Sequence, residues 1–239
     1  MSSILVLGAS GAVGSALCRR LVESNQSVVA GGRDASRLDD AVGELEIPRV
    51  VLDATRSDEV GAAIKEAGPI HGIANCVGSL LLKPAHATSE EDWSNTLRTN
   101  LDSAFHVVRH GTAAMMKTGG SIVLVSSAAA TAGLANHEAI AAAKAGIEGL
   151  TRSAAATYAA RNIRVNAVAP GLVRSKMTSN VFSNELALKA SQAMHALPRL
   201  GEPDDVASAI EWLLTSEWVT GQVVGVDGGL ARIRPRAKA

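Results

Sequence analysis

Three glycines, Gly8, Gly11 and Gly14, follow the apolar run Ile4-Leu5-Val6-Leu7 and lead into a helical pattern from Val13 to Glu23. A strand, a glycine turn and a helix start in that order make an anion site. The glycines let a pyrophosphate approach the backbone, and the first-turn N–H groups and the positive dipole end face it. Ser10 and Val13 lie within the same loop, Gly8-Ala9-Ser10-Gly11-Ala12-Val13-Gly14. A second stretch with chemistry, Ala30-Gly31-Gly32-Arg33-Asp34, ends the next apolar run. An acid there bonds the ribose 2′-OH of NAD, whereas a cation suits the 2′-phosphate of NADP. Asp34 lies 20 residues past Gly14, where the general dinucleotide pattern places its acid, and Arg33 offers a planar permanent charge matched to phosphate. Of the six histidines, His106 and His110 are spaced i, i+4, but no Glu lies between them and no third ligand is evident. No metal is expected.

The elements that must position these residues alternate along the chain. Apolar runs at Ile4–Leu7, Ser27–Ala30, Arg49–Leu52, Ile70–Ala74, Ser121–Val125, Ile163–Val168 and Gln222–Val226 read as strands. Helical patterns fall between them: 13–23, 38–45, 58–66, one long helix from near Glu90 to Met116, another from near Asn136 to Ala160, and one opened by Pro203. The strands are apolar throughout, as expected when helices cover both faces of a parallel sheet. The predicted fold is α/β: a single-domain, Rossmann-type, doubly wound parallel sheet of about seven strands with helices on both faces. One domain is expected over residues 1–239, with a basic, frayed tail at 231–239.

Composition narrows the function. The 239 residues carry 23 Lys and Arg against 23 Asp and Glu, so the electrostatic footprint of a nucleic-acid binder is missing. No apolar run approaches the ~18 residues of a membrane span. The first residues lack the basic region of a signal peptide, and Cys18 and Cys76 suit a reducing compartment. A cytoplasmic protein acting on a small molecule, with no nucleic-acid or membrane partner, is expected.

Five motifs resemble the short-chain dehydrogenase/reductase family, in order and over nearly the whole chain. They are the glycine loop, Asn75-Cys76-Val77-Gly78, Asn100 within Thr-Asn-Leu, Ile163 to Gly171, and the C-terminal pair Arg199 to Val206 and Thr220 to Gly229. One departure is that the middle glycine is Gly11, where the family more usually has it one residue later, at Ala12. The resemblance implies that Gly8, Ser10, Gly11, Val13, Gly14, Asn75, Gly78, Pro170, Gly171, Val173 and Ser175 hold the cofactor. It puts Asp53 against the adenine, and it places the NAD-favouring acid position on Gly32 and the NADP-favouring position on Arg33. NADP is therefore expected over NAD. It also implies a homotetramer or homodimer, and a substrate lid at 175–197 whose Met177, Val181, Phe182, Leu186, Leu188 and Met194 suit a small or medium apolar substrate.

The family's carbonyl chemistry uses Ser, Tyr and Lys, with an Asn nearby. By resemblance the serine is Ser127, the lysine Lys144 (which also holds the ribose) and the asparagine Asn100. The tyrosine belongs four residues before Lys144, on the same helix face, and that residue is Ile140. The single tyrosine, Tyr158, lies roughly 21 Å further along the helix. A positioned general acid contributes about 10²–10⁴ in rate, so another donor is needed. His137, seven residues before Lys144, falls on the helix face of 140 and 144, and an imidazole titrates near neutrality. The expected activity is an NADP(H)-dependent oxidoreductase acting on a carbonyl or alcohol with a non-tyrosine proton donor. The alternatives are a catalytically silent, NADP-binding sensor or scaffold, and C=C reduction or non-redox chemistry in the same pocket.

Overall fold

A computed structural model describes residues 2–234. Seven strands form one parallel sheet: β1 Ser3–Leu7, β2 Val28–Gly32, β3 Arg49–Val51, β4 Ile70–Asn75, β5 Gly120–Val125, β6 Ile163–Pro170 and β7 Val223–Val226. Their order is β3-β2-β1-β4-β5-β6-β7, the doubly wound arrangement expected of the sequence. Parallel strands need crossovers, and the helices provide them: α1 Ala12–Glu23, α2 Ala35–Val42, α3 Ser57–Glu66, α4 Glu90–Leu97, α5 Ser103–Met115 and α6 Glu138–Tyr158. After β6 come α7 Ser179–Phe182, α8 Glu185–Met194 and α9 Pro203–Thr215.

Alternation along each strand feeds two cores. In β1, Leu5 and Leu7 point to the face covered by α3, α5 and α6, with Val60, Ile64, Val107 and Ile147. Ile4 and Val6 point to the other face, where Leu17 and Leu21 of α1, Leu38 of α2 and Ile210 of α9 pack. Leu17 is wholly buried there, and truncating it to Ala costs about 2–5 kcal/mol. The order in which strands are added reverses between β1 and β4, so their carboxyl ends open the crevice in which such sheets bind ligands.

Some boundaries differ from the sequence reading for identifiable reasons. β2 runs on to Gly32 instead of stopping at Ala30, because its last residues pair with β3. The single helix expected over 90–116 is interrupted by a π-helical turn, Arg98–Asp102, centred on the buried Asn100. The helix expected from Asn136 starts at Glu138, because Asn136 adopts φ 63° and His137 is the N-cap. The tail expected to fray from 231 is anchored in its first part: Ala231 N–H donates to Asp227 Oδ2 at 2.8 Å and Leu230 is buried. Residues 235–239 lie outside the described residues.

Candidate active site

The crevice is a cleft of about 570 Å³ that gathers residues from distant parts of the chain. The β1–α1 turn forms one wall. Gly8 has φ +76°, and a Cβ there would lie 2.9 Å from the Cys76 backbone. A Cβ at Gly14 would run into the Gly8 carbonyl. Both positions therefore require glycine, and the turn is pulled tight against β4. Gly11 caps α1 without any side-chain bond, and no acid stands in the first turn. The first N–H groups of α1 are left to face the cleft, a setting suited to a phosphate.

The end of β2 supplies positive charge. A Cβ at Gly32 would meet Leu38 Cδ2 at 3.1 Å, so an acid there would have to displace a core side chain. Asp34, the competing acid of the sequence reading, is the N-cap of α2 and its Oδ1 accepts the Arg37 N–H at 3.0 Å. Arg33 is exposed, and Arg37 lines the cleft. Among the described residues neither makes an ion pair, which leaves both guanidinium groups open to a phosphate. Arg37 was missed from the sequence. Its signal was the capping pattern: with Asp34 as N-cap, Arg37 falls at the third helical position, in the turn that faces an anion.

At the opposite wall, Lys144 is 6% exposed and its Nζ donates to Val125 O at 2.7 Å. Burial pushes its pKa down to about 8. Ser127 caps a short 3-10 turn, its Oγ accepting the Ala129 N–H at 3.2 Å, which leaves the hydroxyl proton free for the cleft. Asn100 accepts from Ser79 N–H at 3.2 Å and donates to Thr96 O at 2.9 Å and Ser79 Oγ at 3.0 Å. A Cβ on Gly78 would sit 3.0 Å from Asn100 Oδ1 and 3.5 Å from Lys144 Nζ, so these two polar ends flank one bare backbone position. Ile140 is 2% exposed and lines the cleft one turn before Lys144.

His137 lines the cleft too, but from the N-cap, ahead of the helix face on which the sequence reading had placed it. Its Nδ1 lies 2.7 Å from Ala135 O, an acceptor, so the proton sits on Nδ1 and Nε2 is left free. Backbone bonds fix this corner: Lys83 N–H donates to Asn136 O at 2.8 Å, and Ala85 N–H to Glu138 Oε1 at 3.4 Å. Glu148 also escaped the sequence reading. It is buried one turn beyond Lys144, and Ser126 Oγ–H donates to its Oε1 at 3.0 Å, bracing the end of β5 against α6. The i, i+4 spacing from Lys144 was its only signal.

The remaining predicted residues divide. Ser10, Gly11, Val13, Gly14, Gly78, Pro170, Gly171, Val173 and Ser175 line the cleft. Gly8, Asn75 and Asp53 stand behind it. Asn75 Oδ1 accepts the Val77 N–H at 3.2 Å and shapes the turn after β4. Burial raises the Asp53 pKa, but hydrogen bonds from Thr55 and the charges of Arg33 and Arg56 outweigh it, and the net shift is downward. Of the apolar residues at 175–197, Met177, Val181 and Met194 face the cleft. Phe182 instead lies under the Arg174 guanidinium, 4.4 Å from ring centroid to Cζ, and Leu186 is exposed. Leu80, Leu82 and Leu134 complete an apolar wall beside Ile140 and His137. Burial pushes the Cys76 thiol up to about 12, so it is no nucleophile at neutral pH.

Known proteins carry the same pattern. A family profile described as enoyl-(acyl carrier protein) reductase matches residues 8–231. A 3-oxoacyl-(acyl-carrier-protein) reductase FabG of Thermotoga maritima is 35% identical over 242 residues, covering 95% of this chain and 96% of that one. The structure of a short-chain type dehydrogenase/reductase from Mycobacterium ulcerans superposes with a TM-score of 0.93 at 31% identity, covering 98% of this chain and 91% of that one. The structure of ElxO with NADP bound gives 0.88 at 25% identity, covering 96% and 98%. Sequence, fold and cleft agree: this chain belongs to the short-chain dehydrogenase/reductase family of oxidoreductases.

Proposed function

We propose that the protein is an NADP(H)-dependent oxidoreductase acting on a small or medium apolar carbonyl or alcohol, with His137 as proton donor in place of a tyrosine. One observation carries the reading. A single cleft joins an uncapped helix N-terminus and a free Arg37 at one end to Ser127, Lys144, Asn100 and His137 at the other. The structure of ElxO, which holds NADP, supports the cofactor class. Arg33 and Arg37 take the 2′-phosphate, the α1 turn takes the pyrophosphate, and Lys144 holds the ribose.

When bound, NADPH supplies a hydride to the carbonyl carbon. Ser127 donates its free hydroxyl proton as a hydrogen bond to the carbonyl oxygen, and Lys144 stabilises the charge that grows there. The imidazolium of His137, its Nδ1–H held by Ala135 O, delivers the Nε2 proton to the alkoxide and leaves as neutral imidazole. The wall of Leu80, Leu82, Leu134, Ile140 and Met177 selects an apolar substrate.

The test is steady NADPH consumption with a panel of ketones, quinones and enones. His137→Gln should cost about 10²-fold or more while leaving cofactor affinity unchanged. The apolar Ile140 where the family carries its phenol favours a second reading, a silent cofactor-binding sensor or scaffold. NADPH binding without turnover on any panel member decides for it. Enone turnover alone decides for C=C reduction.

A further inference from the structure

We infer that His195 is a positioning residue: in its neutral Nδ1–H form it latches the segment after α8 to the loop after β6, fixing the cleft wall at Gly171–Val173. The consequence for the cofactor rests on the NADP(H) reading above, whereas the latch itself does not.

His195 directly follows α8 and is 5% exposed. Its Nδ1 lies 2.7 Å from Ser191 O, which can only accept, so Nδ1 carries a proton. Its Nε2 accepts the Leu172 N–H at 3.3 Å. The neutral ring is therefore fully bonded in one tautomer. The fit is tight, because a Cβ on Gly171 would lie 2.8 Å from Nε2 and one on Gly228 3.4 Å from Cδ2. Leu172 is pinned from the other side as well, its carbonyl accepting the Gly201 N–H at 2.9 Å. Of these two ties only the histidine one can titrate. A second proton would set Nε2–H against Leu172 N–H, two donors face to face in a buried setting, and the tie would part.

His195 forms part of the wall between the cofactor cleft and a second cavity of about 580 Å³. Among the described residues, each carboxylate lining the second cavity already has a hydrogen-bond partner of its own, Glu148 through one oxygen. On the second-cavity side Glu148 is bonded to Ser126, Asp205 to Arg199, and Asp227 to the N–H groups of Gly229 and Ala231. Arg232 there is a cation. On the cleft side the ionisable groups are Arg37, Cys76, His137, Lys144 and Lys176, with no acid among them. Protonation therefore turns the tie to Leu172 into a contact between two donors, and the latch is released. Acidification should loosen the Gly171–Val173 wall and weaken cofactor binding.

Hydrogen exchange of the Leu172 amide in the cofactor-free protein tests the latch, with wild type and His195→Gln compared at each pH so that intrinsic exchange cancels. A glutamine Oε1 can accept the Leu172 N–H but takes no proton. As pH is lowered, the wild-type to variant rate ratio should rise about tenfold or more. NADP⁺ titrated by calorimetry should weaken severalfold more in wild type than in His195→Gln over the same change of pH. His195→Leu should bind weakly at each pH. A constant exchange ratio, or a nitrogen spectrum placing the proton on Nε2, overturns the latch. Wild type that binds no NADP⁺ at any pH overturns the cofactor reading, and the exchange ratio then decides the latch alone.

Discussion

Lys144 carries an ammonium into the protein, and the Val125 carbonyl is its hydrogen-bond partner. Burial lowers its pKa from 10.5 to about 8. Below about pH 8 the group is charged in both folded and unfolded chains, and the full burial cost is present. Between there and 10.5 the unfolded chain binds more protons than the folded one, so stability rises with pH. The gap of about 2.5 units corresponds to about 3 kcal/mol. Lys144→Met should thus be more stable than wild type in urea near pH 7, and the difference should shrink toward pH 10. A difference flat in pH would show that the amine is hydrated. Arg33→Ala and Arg37→Ala should each weaken NADPH binding about tenfold and leave NADH unchanged, the size of a lost charge-assisted bond; equal losses for both cofactors would remove the 2′-phosphate from the argument. On the proposed reading, a phenol at position 140 would supply a proton donor. Ile140 lines the cleft one turn from Lys144, so Ile140→Tyr should fold and raise ketone turnover by about 10²–10⁴ if a carbonyl still enters the pocket. A folded, cofactor-binding variant with no gain would mean a pocket rebuilt for other chemistry.

Among the elements, the π-helical turn Arg98–Asp102 shows how local irregularity serves the site. An unbroken α-helix over 90–115 would satisfy its own backbone and give Asn100 no special direction. The turn buries Asn100 completely and lets it bond Ser79 and Thr96 at once, holding the Gly78–Ser79 loop over Lys144. Asn100→Ala leaves the half-buried Ser79 N–H unmatched and should cost about 1–3 kcal/mol in chemical denaturation, with looser cofactor binding. Unchanged stability would make the turn indifferent to this side chain. Periodicity could not show the interruption, because the apolar pattern of α4 and α5 continues across it. The same limit applies at His137, where the i, i+7 spacing from Lys144 reads as one helix face, although the left-handed Asn136 ends the helix one residue short of it. The strands were legible because each is a short apolar run between turns. The cofactor loop was legible because Gly8 and Gly14 are demanded by backbone contacts that no other residue permits. Arg37 and Glu148 were not, since an arginine or glutamate on a helix reads as surface until packing places it.

At the scale of the molecule, the motif-bearing segments meet because a parallel sheet puts the carboxyl ends of its strands on one side. That architecture leaves two open edges, and they are finished differently. β3 is only three residues long, with arginine at its start, and is short enough to invite little pairing. β7 is half-buried and, among the described residues, pairs with β6 alone. Beside it Trp212 on α9 is 49% exposed, and Trp218 in the following loop is 100% exposed. Two tryptophans standing in water next to an open edge are an apolar surface that a partner of the same kind can cover. A homo-oligomer built on the α9–β7 side would cover both. Sedimentation equilibrium should therefore give a multiple of 24.5 kDa. Trp212→Glu combined with Trp218→Lys should lower that mass while leaving the circular dichroism unchanged, because neither indole is part of the buried core. A wild-type monomer, or a double variant of undiminished mass, would mean that the assembly surface lies elsewhere or that the edge is left open to solvent.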